Sequence, residues 1–95
     1  MAGSEMVMVF CYDVTDDRAR RRVAAVLEQV AVRVQRSVFE ARMPAGLALR
    51  TAEEAARLLG PGDSLRVYAV GAHGLNRSRA YGPLPLPEAQ DFYLL

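Results

Sequence analysis

Residues 6–12 read MVMVFCY, seven apolar positions in a row, closed by Asp13. A strand with one wet face alternates apolar and polar residues, whereas one that is apolar throughout is covered on both faces. The chain has 95 residues, and in so small a domain helices can cover only one face of a sheet. The second face therefore needs another cover, most simply a second copy of the chain. Asp13, directly after the strand, is the first candidate for chemistry, because strand ends hold functional groups rigidly. Its alternative role is to cap the turn or helix that follows.

Downstream, Thr15, Asp16 or Asp17 can supply a helix N-cap oxygen, and clustered acids suit the positive end of a helix dipole. Ala19, Val23, Val26, Leu27 and Val30 then recur on one narrow helical face. Arg18 and Arg21 lie roughly opposite, while Arg20 and Arg22 flank the stripe. Residues 32–43 (VRVQRSVFEARM) are rich in β-branched types and read as extended. Twelve residues is long for one strand in so small a domain, so the pattern predicts a turn at Arg36-Ser37 between strands at 32–36 and 38–43. Pro44 ends the ladder. A second helix is expected over 45–59, a turn at Gly60-Pro-Gly-Asp63 and a strand over 64–70.

After Gly71 the character changes. Residues 72–87 hold Gly74, Gly82, Pro83, Pro85 and Pro87 and read as a loop or extended arm. The close, Asp91-Phe-Tyr-Leu-Leu95, is strand-like and would be an aggregation hazard unless it adds to a sheet edge, its own or a partner's. The predicted architecture is α+β: one domain over 1–95, a ferredoxin-like βαββαβ core in 1–71, an arm in 72–87 and a C-terminal strand in 88–95. A second copy again follows as the natural partner, although this fold alone names no function.

All twelve basic residues are arginines, and all lie between Arg18 and Arg79. That segment holds five acids, which leaves it at +7, while the other six acids sit toward the ends. A basic middle suits phosphate, since arginine presents a planar fork of donors; solvated helix faces in an arginine-rich chain would look the same. Cys11 is the only cysteine and His73 the only histidine. One histidine makes no zinc site, and Cys11 has no basic setting to activate it. Ser37 offers a hydroxyl that could act on phosphate or simply form the turn. There is no phosphate-binding glycine loop and no CxxC pair. No apolar run approaches the ~18 residues of a membrane helix, and the N-terminus lacks the basic start of a signal peptide, so the expected setting is cytoplasmic.

Four segments occur in order: Tyr12-Asp13-Val14-Thr15-Asp16-Asp17, Arg20 with Arg22-Val23, Val34-Gln35-Arg36-Ser37-Val38-Phe39-Glu40, and Asp63-Ser64-Leu-Arg-Val-Tyr68. Together they resemble the small CRISPR-associated Cas-two family, the partner of the integrase in spacer acquisition. The resemblance runs from about Met6 to Leu95 and implies a homodimer whose C-terminal strands extend the partner's sheet. It implies a metal-dependent phosphodiesterase acting on single-stranded RNA or duplex DNA, with Asp13 and its symmetry mate sharing Mg²⁺ or Mn²⁺. Arg20, Arg22, Arg33 and Phe39 fall at positions the family uses for nucleic-acid contact or activity, with Tyr12 beside the aspartate. Arg36 departs from the family pattern, where an uncharged residue is usual, and adds charge at the turn. The competing reading is a catalytically silent dimer that bridges integrase subunits and grips duplex DNA through Arg18, Arg21 and Arg22.

Overall fold

A computed structural model describes residues 5–87. In chain order it contains β1 (Met6–Asp13), α1 (Asp17–Glu28), β2 (Val32–Gln35), β3 (Val38–Met43), α2 (Ala45–Ala56), β4 (Ser64–Val70) and α3 (Ala72–Asn76). The strands hydrogen-bond in the order β2-β3-β1-β4, with β1 central and antiparallel to both neighbours. This is the expected ferredoxin-like arrangement. Each helix crosses over a strand that the chain inserts elsewhere, and right-handed connections put both helices on one face.

The core lies between that face and the helices. Phe10 and Phe39 stand directly opposite each other in the β1–β3 register, and both are fully buried. Met8, Tyr12 and Met43 join them from the sheet, Val23 and Leu27 from α1, and Ala48 and Ala55 from α2. The small side chains of α2 let it sit beside α1 above a narrow sheet. Asp16 caps α1: its extended backbone precedes the helix and its Oδ2 accepts from the Ala19 amide at 2.8 Å. Asp13 is therefore not the cap.

The split of residues 32–43 falls at Arg36-Ser37, as the sequence predicts. Two-residue hairpins usually need a positive φ, but no non-glycine residue has one here. A bulge takes up the mismatch: Arg33 pairs with Phe39 and Gln35 with Val38, leaving Val34 as the extra residue.

Residues 72–87 differ from the loop or arm expected of them, because they begin with α3. Five residues containing Gly74 carry no helical periodicity, so only packing reveals this turn. The helix folds back toward the face opposite the core, where a Cβ on Gly74 would come within 3.1 Å of Val70. Tyr81, Leu84 and Pro85 then run past Val34, Val38 and Glu40 on the same face. This segment thus lies beside β2 and β3 on the second face of the sheet. The second helix ends at Ala56 rather than Leu59, its last residues forming a turn in which Leu58 and Leu59 donate to Ala55 and Ala56. The C-terminal strand expected over 88–95 lies outside the described residues. Among the described residues, no helix is long and apolar enough to cross a membrane.

Candidate functional site

At the C-terminal end of β1 a cleft of about 490 Å³ opens between α1 and the β2–β3 turn. Tyr12 and Asp13 line it from the strand, Arg20 and Arg21 from the helix, and Arg33, Arg36 and Ser37 from the hairpin. Seven residues singled out in the sequence therefore meet in one place. Arg18 and Arg22 stand exposed on α1 outside this lining, and Phe39 lies buried below it. His73 is exposed on α3, and Cys11 is half-buried on the face away from the helices.

Asp13 is exposed at the strand end, and among the described residues nothing hydrogen-bonds or ion-pairs with its carboxylate. The loop behind it is tied on two sides. Arg20 Nη1 donates to the carbonyls of Val14 at 3.0 Å and Thr15 at 3.2 Å, and its Nη2 pairs with Asp17. From the α2–β4 turn, Asp63 accepts the Thr15 amide at 3.1 Å and the Gly60 amide at 2.8 Å. Those two backbone donors, Gly60 first, hold the Asp63 carboxyl below its ordinary value. Asp63 is a brace that sequence reasoning missed, since a turn aspartate carries no signal of a partner 48 positions away.

The hairpin wall is held as firmly. Arg33 Nη1 donates to the Arg36 carbonyl at 2.9 Å, and its Nη2 lies 3.7 Å from Glu28. The same guanidinium sits 5.1 Å over the Phe39 ring, which stacks with Tyr12 at 6.2 Å. The Tyr12 amide donates to the Ser37 carbonyl at 3.1 Å, and its hydroxyl approaches the Arg36 carbonyl at 3.5 Å. Arg21 and Arg36, by contrast, make no side-chain hydrogen bond or ion pair among the described residues. Their forks are free.

A single chain offers a cation little here: among the described residues no three His, Cys, Asp or Glu side chains converge. Asp13 is nonetheless a sound single ligand, being unpaired and accessible. Mg²⁺ keeps several waters and takes one or two carboxylates plus substrate phosphate, so one carboxylate from each of two chains fits its chemistry.

The family model described as CRISPR associated protein Cas2 matches residues 6–78. A CRISPR-associated endoribonuclease Cas2 from Synechocystis is 38% identical over 87 residues, covering 90% of this chain and 94% of that protein. The crystal structure of a hypothetical protein from Thermus thermophilus is 34% identical with a TM-score of 0.69, covering 85% of this chain and 98% of that one. A chain in a partial Cas6-RT-Cas1–Cas2 complex shares the fold at 21% identity and a TM-score of 0.65, covering 79% and 89%.

Proposed function

This chain belongs to the CRISPR-associated Cas2 family, and from that premise we propose that it is a metal-dependent endonuclease of spacer acquisition, with Asp13 at its centre. The observation that carries the reading is a free carboxylate at a rigid strand end, in a cleft whose other charged walls are arginine. Hydrolysis of a phosphodiester forms one bond from phosphorus to the oxygen of water and breaks one to the leaving sugar oxygen. Asp13 and the Asp13 of a second copy would hold Mg²⁺ or Mn²⁺. When bound, the ion supplies charge compensation on the phosphate and a more acidic water. Arg21 and Arg36 offer donors to phosphate oxygens, and the neighbouring hydroxyl of Ser37 offers one more. Tyr12 and Phe39 support the wall from below.

A homodimer completes this site. It is supported by Val9 and Cys11, apolar and half-buried on the face of β1 away from the helices.

The test is cleavage of single-stranded RNA and duplex DNA with Mg²⁺ or with a chelator, for the wild type and Asp13→Asn. Loss of all divalent-dependent cleavage in a variant that keeps its folded mass supports the assignment. Undiminished turnover sinks it.

A second reading is favoured by Arg18 and Arg22, exposed on α1 but outside the cleft, and by the likeness to a chain from a Cas1–Cas2 complex. Here the protein bridges integrase subunits and holds a duplex by its backbone. Arg18→Glu with Arg22→Glu then lowers the salt dependence of duplex binding by about 0.9 for each phosphate that is no longer neutralised, with cleavage of RNA unchanged. A salt dependence at the wild-type value removes α1 from the DNA surface.

A further inference from the structure

We infer that Arg36 is a phosphate ligand of the Asp13 cleft and that Arg33 acts only through it, as a positioning residue. The inference rests on the cleft being a phosphodiester site and adds a division of its arginines into ligands and braces.

The guanidinium of Arg33 donates to a hairpin carbonyl at 2.9 Å, lies 3.7 Å from the Glu28 carboxylate at the end of α1 and sits 5.1 Å over the Phe39 ring. A fork held this way is oriented by the protein's own groups. What it holds is the backbone of residue 36. The carbonyl of Arg36 takes the Arg33 donor, the Tyr12 hydroxyl comes to 3.5 Å of the same oxygen, and the next carbonyl takes the Tyr12 amide at 3.1 Å. The Arg36 side chain therefore leaves from a fixed point, lines the cleft together with Asp13 and has no partner of its own among the described residues.

Electrostatics require such a group. An exposed carboxylate repels a phosphate, and without compensation the strand would avoid the cleft. Arg21 from the helix and Arg36 from the turn bring two free positive charges to it. Arg20 parallels Arg33: its donors go to the carbonyls of Val14 and Thr15 and to Asp17, and it holds the Asp13 loop in place.

The experiment is a binding cycle on the full chain in chelator, with a short single-stranded RNA as probe and salt as the variable. It compares the wild type with R36Q, R36K, R33M and the R33M/R36Q pair, each checked for folding by thermal melting. Removing one charge-assisted hydrogen bond is expected to weaken R36Q about tenfold or more and to lower its salt slope by about 0.7. R36K should keep the slope. R33M should weaken binding as well, yet the pair should match R36Q alone in affinity and slope, because the turn that Arg33 holds then presents no phosphate ligand to position. If the two effects multiply and the slope falls by about 1.4, Arg33 is itself a ligand. An unchanged slope in R36Q removes Arg36 from the site. If R33M fails to fold, R33Q closes the same cycle with the same two outcomes. A wild type whose binding ignores salt overturns the phosphodiester reading itself, a result distinct from either.

Discussion

The same strands build both faces of the sheet, yet the two faces are finished differently. Toward the helices, Met8, Phe10 and Tyr12 of β1 meet Phe39 and Met43 of β3 under α1 and α2, and among the described residues Thr51 is the only buried polar one. Away from the helices, Val7, Val9 and Cys11 of β1 face Arg42, Glu40 and Val38 on one side and Val70, Tyr68 and Arg66 on the other. The central strand is apolar on both sides; the flanking strands are apolar toward the helices and mixed away from them. The second face thus mixes Arg42, Glu40 and Arg66 with Val38, Tyr68 and Val70, whereas the first is a closed core. Arg66 Nη1, which donates to the Tyr68 hydroxyl at 2.9 Å, lies on that second face.

The contrast can be broken most forcefully at Phe10. Truncating a fully buried aromatic costs about 3–5 kcal/mol, so Phe10→Ala should lose most of its stability in urea unfolding; a loss under about 1 kcal/mol would mean that the helix side is not the core. The next effect comes from the cover rather than the sheet. Asp16→Ala removes the α1 cap, with an expected cost of about 1 kcal/mol, read as a melting temperature about 4–8 °C lower. On the other face, Tyr68→Glu should change stability by no more than roughly 0.5 kcal/mol, because the side chain is 48% exposed. If that face carries the dimer, the same substitution lowers the sedimenting mass to one chain; a persistent dimer would move the interface elsewhere.

The smallest effect is confined to acid. The Asp63 carboxyl is held below its ordinary value of 3.8 in the folded protein. Its contribution is therefore full above the unfolded pKa and is lost as pH falls through the folded one. Asp63→Asn should flatten the decline in stability below about pH 4 and leave the slope near neutrality alone. An unchanged acid limb in a pH series of melts would show that the Thr15 and Gly60 amides do not bias this group.

Periodicity made the sheet and both long helices readable, since each buries a regular stripe. Asp13, Arg36 and Ser37 were singled out by the ordered motifs, and the turn was placed correctly at Arg36-Ser37, but that these residues and Arg21 line one cleft shows only in the packing. The hydrogen bonding of the arginines was not legible. Arg20 and Arg33 were singled out through the family resemblance, while their acceptors here are backbone carbonyls that every residue carries and that no sequence pattern marks. The short helix α3 escaped for a related reason: its residues contribute packing against Val70 rather than a pattern of their own. Between Thr15, Asp16 and Asp17 as caps, all three had suitable oxygens, and only the extended backbone at Asp16 decides it.

The hold of Arg33 on the hairpin has a further consequence. It grasps a main-chain oxygen, so it is indifferent to which amino acid occupies position 36. The geometry of the turn and the charge it displays are in that sense separately inherited: one can be exchanged without disturbing the other. Position 36 is a socket at which neutral, acidic or basic side chains could be swapped to retune the cleft, and mutational drift there would explore new specificities while the scaffold stays fixed.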